Sequence, residues 1–317
     1  MGLSFPKLIL LFIALSLIGA IISILFLPVR FPNQQKTPEA FLISIVPTPT
    51  PTHSPQTVLL ATGDVMLGRS VRTQTEKSGN PLYPFLFVKD LLQSADITVI
   101  NLENPLIDPC PKSDTGMKFC APIAVAETLA QAGIDAANLS NNHTKNYGDA
   151  GYQSTLAALR SSGIRPFDNQ QPAMIEKNGL KFGFLGLDLV SSTPDQEKIL
   201  NQVSNLNSQV DILVVSIHRG AEYAAAPAES EKLFLRSMVD AGADLIIGHH
   251  PHVIQEVEVY KNVPLAYSLG NFVFDQMWSK PTRQGLVGKF IFQGKQLVDY
   301  DFITIYMENF AQPQSVN

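Results

Sequence analysis

The chain has 317 residues, enough for one large domain or two small ones. Its formal charge of −5 comes with no basic stripe, so the electrostatic footprint of a nucleic-acid binder is absent. Charged residues make up only 16% of the chain, partly because its N-terminus is so apolar, and no 20–50-residue repeat suggests a solenoid.

Residues 8–27 carry no charge. As a helix rising 1.5 Å per residue they reach about 30 Å, the thickness of a bilayer's hydrocarbon core. A cleaved signal peptide has a shorter apolar core, roughly 7–15 residues, followed by a small-x-small site. Here Gly19, Ala20 and Ser23 lie inside the run. The expectation is an uncleaved signal anchor, a transmembrane helix within residues 1–27, with a cleaved signal peptide as the alternative. No cysteine near its end suggests a lipoprotein, and Pro6 stands where a myristoylation motif needs Ser or Thr. Lys7 on one side and Arg30 and Lys36 on the other leave orientation nearly undetermined by charge. N-terminal anchors generally leave the long C-terminal part outside the cytoplasm, so a membrane-anchored, extracytoplasmic domain is expected.

Residues 28–56 read as a linker. Pro47, Pro49 and Pro51 alternate with Thr48, Thr50 and Thr52. Proline lacks the amide donor and fixes φ, so this run makes an extended, semi-rigid spacer. His53 within it is a solvated bystander.

The domain proper spans residues 57–310. Short apolar runs at 58–61, 97–100, 136–139, 182–187, 212–217, 245–247, 254–260 and 265–267 read as strands. Stretches 85–94, 123–132, 152–161 and 229–240 read as helices. Residues 286–292 and 296–305 flank Gly294-Lys295 as a closing hairpin. Alternation of this kind predicts a layered α/β domain. Cys110 and Cys120 bracket a loop bearing Pro and Gly. Their spacing is too wide for a redox Cys-x-x-Cys, and no second pair exists for a zinc ribbon. In an extracytoplasmic domain a disulfide is the favoured reading over a free thiol pair, stabilising by roughly 2–3 kcal/mol.

Polar residues follow strand after strand: Thr62-Gly63-Asp64, Asn101-Leu102-Glu103, Ser140-Asn141-Asn142-His143, His218, Gly248-His249-His250-Pro251-His252, and Ser268-Leu269-Gly270-Asn271. In open α/β sheets the C-terminal strand edge is where ligands bind. Five of the six histidines fall in these clusters, which core packing does not explain. Asp64 and Glu103 offer carboxylates, Asn142 an amide oxygen, and His218, His250 and His252 imidazoles. This mixed N/O set suits one or two divalent ions, Mn, Fe or Zn before Ca or Mg.

Gly63-Asp64-Val65-Met66-Leu67-Gly68-Arg69, Asn101-Leu102-Glu103-Asn104-Pro105-Leu106, Asn141-Asn142-His143, His218-Arg219-Gly220-Ala221-Glu222-Tyr223, the 248–252 run and Tyr267-Ser268-Leu269-Gly270-Asn271-Phe272 resemble the CapA family of poly-γ-glutamate capsule synthesis proteins. Six motifs in order over residues 57–293 carry the resemblance. That family in turn resembles the calcineurin-like metallophosphoesterases. The resemblance implies two packed β-sheets flanked by helices, a four-layer sandwich. It implies Asp64, Glu103, Asn142, His218, His250 and His252 as metal ligands, with His249 competing with His250. It implies His143 as the catalytic group that contacts a phosphate or protonates a leaving oxygen, and Arg69, Glu222 and Asn271 as residues facing substrate. The implied partners are the membrane, an anionic polymer or phosphate ester, and other capsule-synthesis membrane proteins. Two departures stand out. Met66 occupies the histidine position of Asp-x-His, and Asn146 occupies the place of an aspartate after Asn-Asn-His. The functions in play are a polymer synthesis, anchoring or export protein, a metal-dependent phosphoesterase, and a non-catalytic polymer-binding subunit.

Overall fold

Strands buried on both faces set the architecture. In β1 (Gln56–Val65), Leu59 and Ala61 point into one apolar cluster and Leu60 into another, the period-2 alternation of a pleated strand. The computed structural model describes residues 55–191 and 195–316. The expected anchor, and the expected linker up to its last two residues, lie outside the described residues. Among the described residues no helix is long and apolar enough to cross a membrane.

After β1 come α1 (Arg69–Ser78), a 3-10 turn (Tyr83–Phe85), α2 (Lys89–Gln93), β2 (Ile97–Leu102), α3 (Val125–Ala132), β3 (Ala136–Asn138), α4 (Gly148–Ser161), β4 (Arg165–Phe167), β5 (Ala173–Lys177) and β6 (Leu180–Asp188). Then follow α5 (Gln196–Asn207), β7 (Ile212–His218), α6 (Glu229–Asp240), β8 (Leu245–His249), β9 (Val257–Tyr260), β10 (Val263–Ala266) and β11 (Asn271–Val273). A 3-10 turn (Pro281–Arg283), β12 (Gln284–Gln293), β13 (Gln296–Asn309) and β14 (Gln312–Ser315) close the chain.

The first sheet has the order β14-β13-β12-β1-β2-β3-β4, with β11 also paired to β1. The second has the order β5-β6-β7-β8-β10-β9. In the first, β1, β2, β3 and β4 run parallel, and β11 runs parallel to β1. In the second, β6, β7, β8 and β10 run parallel. The inner cluster draws on both sheets: Leu59, Ile97, Val99 and Phe290 from one, Phe182, Phe184, Ile212, Val214 and Leu245 from the other. A second cluster joins the outer face of the first sheet to Phe85, Leu92, Leu129 and Leu159 of the helical side. A third joins Leu185, Leu213, Val215 and Ile246 to Val203 and Leu206 of α5 and Phe234 and Met238 of α6. Helices, sheet, sheet and helices therefore stack in sequence, as the α/β reading with two packed sheets anticipates.

Several elements differ from expectation. Helix α1 has no counterpart among the expected helices, since Val71 is its only buried residue and no apolar stripe marks it. Helix α5 has none either, although Asp195 caps it by accepting from Lys198 N–H at 3.1 Å and Val203 and Leu206 are buried. The expected helix at 85–94 is split into a 3-10 turn ending at Phe85 and the short α2. The run at 254–260 keeps only β9 as strand, with Ile254 bridging Leu269 in isolation. Cys110 and Cys120 are disulfide-bonded, and no described cysteine is free.

Two motif glycines are required by close backbone approach. A Cβ at Gly63 would lie 2.2 Å from the Gly270 carbonyl oxygen, and one at Gly248 only 2.0 Å from that of Tyr267. Both sit where strand ends crowd together beside the polar clusters.

Phe184 is fully buried between the sheets, against Phe167 at 5.6 Å between ring centroids. Phe184→Ala is expected to destabilise the domain by about 3–5 kcal/mol. Val298→Ala, at an exposed position, is expected to change stability by no more than about 0.5 kcal/mol. Chemical-denaturation midpoints of the two variants check this; equal midpoints would contradict the inner-core placement.

Candidate metal centre

Parallel pairing brings the polar strand ends to one edge. Asp64 lies in register with Asn101 of β2 and Asn271 of β11, and His218 with His249 across β7 and β8. Glu103 follows β2, Asn142 and His143 follow β3, and His250 and His252 follow β8.

Asp64 is fully buried and saturated with donors. Its Oδ1 accepts from Asn101 Nδ2 at 2.8 Å and lies 3.0 Å from His249 Nδ1. Its Oδ2 lies 3.2 Å from both His250 N–H and His252 Nδ1. Burial alone would raise its pKa, but the hydrogen bonds and charges of His249 and His252 hold it well below the usual carboxylate range.

Glu103 is the opposite case. It is fully buried, yet neither carboxylate oxygen has a hydrogen-bond partner. His252 Nε2 stands 3.6 Å from Oε1 and His143 Nε2 3.9 Å. Burial pushes the Glu103 carboxyl well above its usual range. His252 is pulled down by burial and up by the charges of Glu103 and Asp64, and titrates at about 9. The pair thus holds a proton that a cation would displace.

Ligand atoms of Asp64, Glu103 and His218 lie within 4.8 Å of one another, and so do those of Glu222, His250 and His252. Asn142 joins the first group, its Oδ1 3.0 Å from His218 Nε2. The two groups adjoin, with the His250 ring centroid 4.8 Å from that of His218 and 5.9 Å from that of His252. His250 Nδ1 is buried without a partner. His218 and His250 are both held low by burial first, and so are neutral and able to ligate at neutral pH. A buried cluster with an orphaned carboxylate, an orphaned imidazole nitrogen and neutral histidines fits a divalent cation.

Supporting residues set the ring orientations. Asn271 Nδ2 donates to Gln276 Oε1 at 3.0 Å and to the Thr282 carbonyl at 2.9 Å. Its Oδ1 must therefore face His252 Nδ1, 3.0 Å away, leaving His252 Nε2 toward the pocket. Asn271 is buried behind His252, and these contacts make it a residue that positions an imidazole. Asn101 received no role from the sequence, although it stands two residues before Glu103. Its amide donates to Asp64, and its Oδ1 accepts from Asn138 Nδ2 at 3.1 Å and Asn141 Nδ2 at 3.2 Å. His250 and His252 have φ of 97° and 57°, unusual for residues with a Cβ and characteristic of constrained sites.

His143 lines the same pocket, stacked on Phe119 with ring centroids 4.0 Å apart. Asn146 Oδ1 accepts from Phe119 N–H at 2.6 Å and lies 3.2 Å from His143 Nδ1. The backbone donor fixes that oxygen's identity, so His143 Nδ1 carries the proton and Nε2 is free. Burial lowers His143 to about 4. Arg69 stacks on the other partner of this wall, its guanidinium 4.3 Å from the Phe119 ring centre. It also pairs with Asp275 and donates from Nη1 to the Gly116 carbonyl at 2.8 Å, leaving only Nε without a partner. Glu222 stands at the rim within the second ligand group, His249 lies behind Asp64, and Met66 is fully buried in the helix-side cluster, its sulfur accepting from Gly68 N–H at 3.1 Å.

Residues 58–276 match the family described as Bacterial capsule synthesis protein PGA_cap. The chain is 31% identical over 255 residues to the capsule biosynthesis protein CapA of Bacillus anthracis, covering 71% of this chain and 61% of that protein. It is 32% identical over 248 residues to the PGA biosynthesis protein CapA of Bacillus subtilis strain 168, covering 71% and 65%. The chain thus spans less than two thirds of the length of either relative. A probable polyglutamine synthesis accessory protein of Mycobacterium tuberculosis is 26% identical over 172 residues, covering 43% and 44%. Among solved structures, a hypothetical protein from Thermus thermophilus aligns with a TM-score of 0.53 at 16% identity, over 78% of this chain and 98% of that one, a likeness of fold alone.

In metal-free protein the depressed His143 has a defined pH signature. Unfolded, it binds a proton below about 6.5; folded, only below about 4. The unfolded state therefore holds more protons between these values, and stability is lost as pH falls from about 6.5 to about 4. His143→Ala is expected to flatten that part of the midpoint-versus-pH curve, and an unchanged slope would contradict the burial assigned to this ring.

Proposed function

Because the chain belongs to the Bacterial capsule synthesis protein PGA_cap family, we propose that it serves the synthesis, anchoring or export of an extracellular anionic polymer of the poly-γ-glutamate type, using a pocket that binds a divalent metal. Its relatives' names point to the polymer. The uncharged run at residues 8–27 supports attachment to the membrane, and the general orientation of N-terminal anchors puts the domain outside the cytoplasm.

The observation that carries the metal is Glu103. A buried carboxylate with no donor costs several kcal/mol unless a cation compensates it. Asp64, Glu103, Asn142 and His218 would hold one ion, and Glu222, His250 and His252 a second. Imidazole and oxygen donors without thiolate favour Mn, Fe or Zn. A bound ion supplies a Lewis acid that polarises a phosphoryl or acyl oxygen. His143, held in place by Phe119 and Asn146, would face that oxygen through Nε2 and donate to it once that nitrogen takes up a proton.

A second reading, a phosphoesterase acting on an envelope phosphate ester, draws on the same His143 placement. A third, a polymer-binding subunit without turnover, draws on Met66 and Asn146, which put a thioether and a neutral amide where an imidazole and a carboxylate are expected.

Glu103→Gln keeps shape and removes the charge. Elemental analysis of the purified wild type is expected to find Mn, Fe or Zn, and added metal to raise its melting temperature. Glu103→Gln and His218→Ala are expected to lose at least about a hundredfold in metal affinity, beyond the 10–100-fold typical of an outer-shell change. A wild-type protein with no metal, and no thermal response to added Mn or Zn, would refute the metal assignment.

A further inference from the structure

The segment between β11 and β12 builds a feature that the metal pocket itself does not use. Thr282 straps it down, donating from Oγ1 to the Gln276 carbonyl at 2.7 Å while its own carbonyl accepts from Asn271. The buried Gln276 then donates from Nε2 to the Tyr223 hydroxyl at 3.2 Å. With Asn271 facing His252, an unbroken hydrogen-bonded series runs from His252 through Asn271 and Gln276 to Tyr223. It begins in the pocket and ends at the surface.

Tyr223 reaches that point from the β7–α6 connection, on the other sheet, with φ at 63°. Its ring centroid is 6.4 Å from that of His252 and 6.1 Å from that of Trp278, the latter edge-on. Trp278 is the only tryptophan of the chain and is 65% exposed; Tyr223 is 45% exposed. Tryptophan is highly buried on average, so a ring left this open, beside a second open ring, is an exposed aromatic surface. Glu222, the neighbour of Tyr223, belongs to the second ligand group, so rim and pocket share one backbone segment. Lys280 is exposed two residues beyond Trp278.

The geometry points to an aromatic subsite, formed by Trp278 and Tyr223 at the mouth of the metal-competent pocket, that takes a γ-glutamyl chain. Each repeat of such a chain carries a planar amide and methylenes that stack on rings, and a carboxylate that Lys280 meets. Rigid aromatic anchors with a few convergent polar groups are the usual composition of a ligand site. The hydrogen-bonded series holds Tyr223 in place before the ligand arrives, and Trp278 stands edge-on against it, which lowers the ordering cost of binding. The subsite rests on the polymer reading above and extends it to named residues.

The sole tryptophan makes the test direct. The metal-loaded full chain is titrated with γ-linked glutamate oligomers while Trp278 emission and its quenching by acrylamide are followed, and calorimetry measures binding independently. The expected result is a saturable emission change with protection from quenching, weakened several-fold in Tyr223→Ala, and weakened in Lys280→Glu with metal content unchanged. Oligomer binding seen by calorimetry while Trp278 stays fully quenchable would overturn the subsite and leave the polymer reading standing. No calorimetric binding to metal-loaded protein would overturn both. Equal protection by a neutral dextran would overturn the assigned ligand class.

Discussion

Asp64 has no access to water, and its two oxygens take donors from both sheets. Asn101 reaches it from β2, His249 from β8, and the backbone N–H of His250 and the ring of His252 from the loop beyond. A buried carboxylate left short of such partners would cost several kcal/mol, so the ends of the two sheets must converge on it. That convergence explains the neighbouring oddities. Gly63 and Gly248 are needed because backbones approach too closely there for any side chain. The left-handed backbone at His250 and His252 turns the His250 N–H and the His252 ring back toward the carboxylate instead of continuing β8.

Glu103, a few ångströms away, is buried as deeply with none of those donors. The contrast divides the labour between two acidic residues. Asp64 is structural in the metal-free protein, its charge already shared among neighbours. Glu103 is held ready, its environment stable only when protonated or when a cation arrives. Keeping such a group runs against stability and is typical of a functional position.

The central strands and the edge that gathers the polar residues were legible because both depend on short-range pattern: short apolar runs, several of them followed within a few residues by Asp, Asn or His, whereas β4, β5, β11 and β14 carry no such run. Helix α6 was legible for the same reason, and its span is the one read from sequence. What escaped were features decided by tertiary context. Helix α1 has little apolar signal because it packs through loop contacts, with Arg72 donating to the Cys110 carbonyl and Thr73 to Asp114. Asn101 and Gln276 looked like ordinary polar residues; their roles arise only when strands far apart in sequence meet. The same holds for the two adjacent histidines. Sequence left His249 and His250 as rivals, and the geometry separates them by the end of β8: His249 finishes the strand and faces Asp64, while His250 turns toward His218.

The two departures from the family pattern act in different ways. Met66 contributes nothing to the pocket, since β1 is irregular around Asp64 and the chain beyond it turns into the helix-side core. The first ligand group therefore lacks a donor from that position and depends on His218 and Asn142 instead. Asn146 still contributes its oxygen. It orients His143 through Nδ1, as an aspartate would, but adds no negative charge to favour a protonated ring. Burial then dominates, and His143 is neutral with a bare Nε2. A neutral imidazole in that state accepts a proton or a hydrogen bond; it does not protonate a leaving group. An acid role at this position requires a bound anion to restore the charge that Asn146 omits. Without that charge, the bare Nε2 facing Glu103 accepts a proton or a hydrogen bond rather than supplying one.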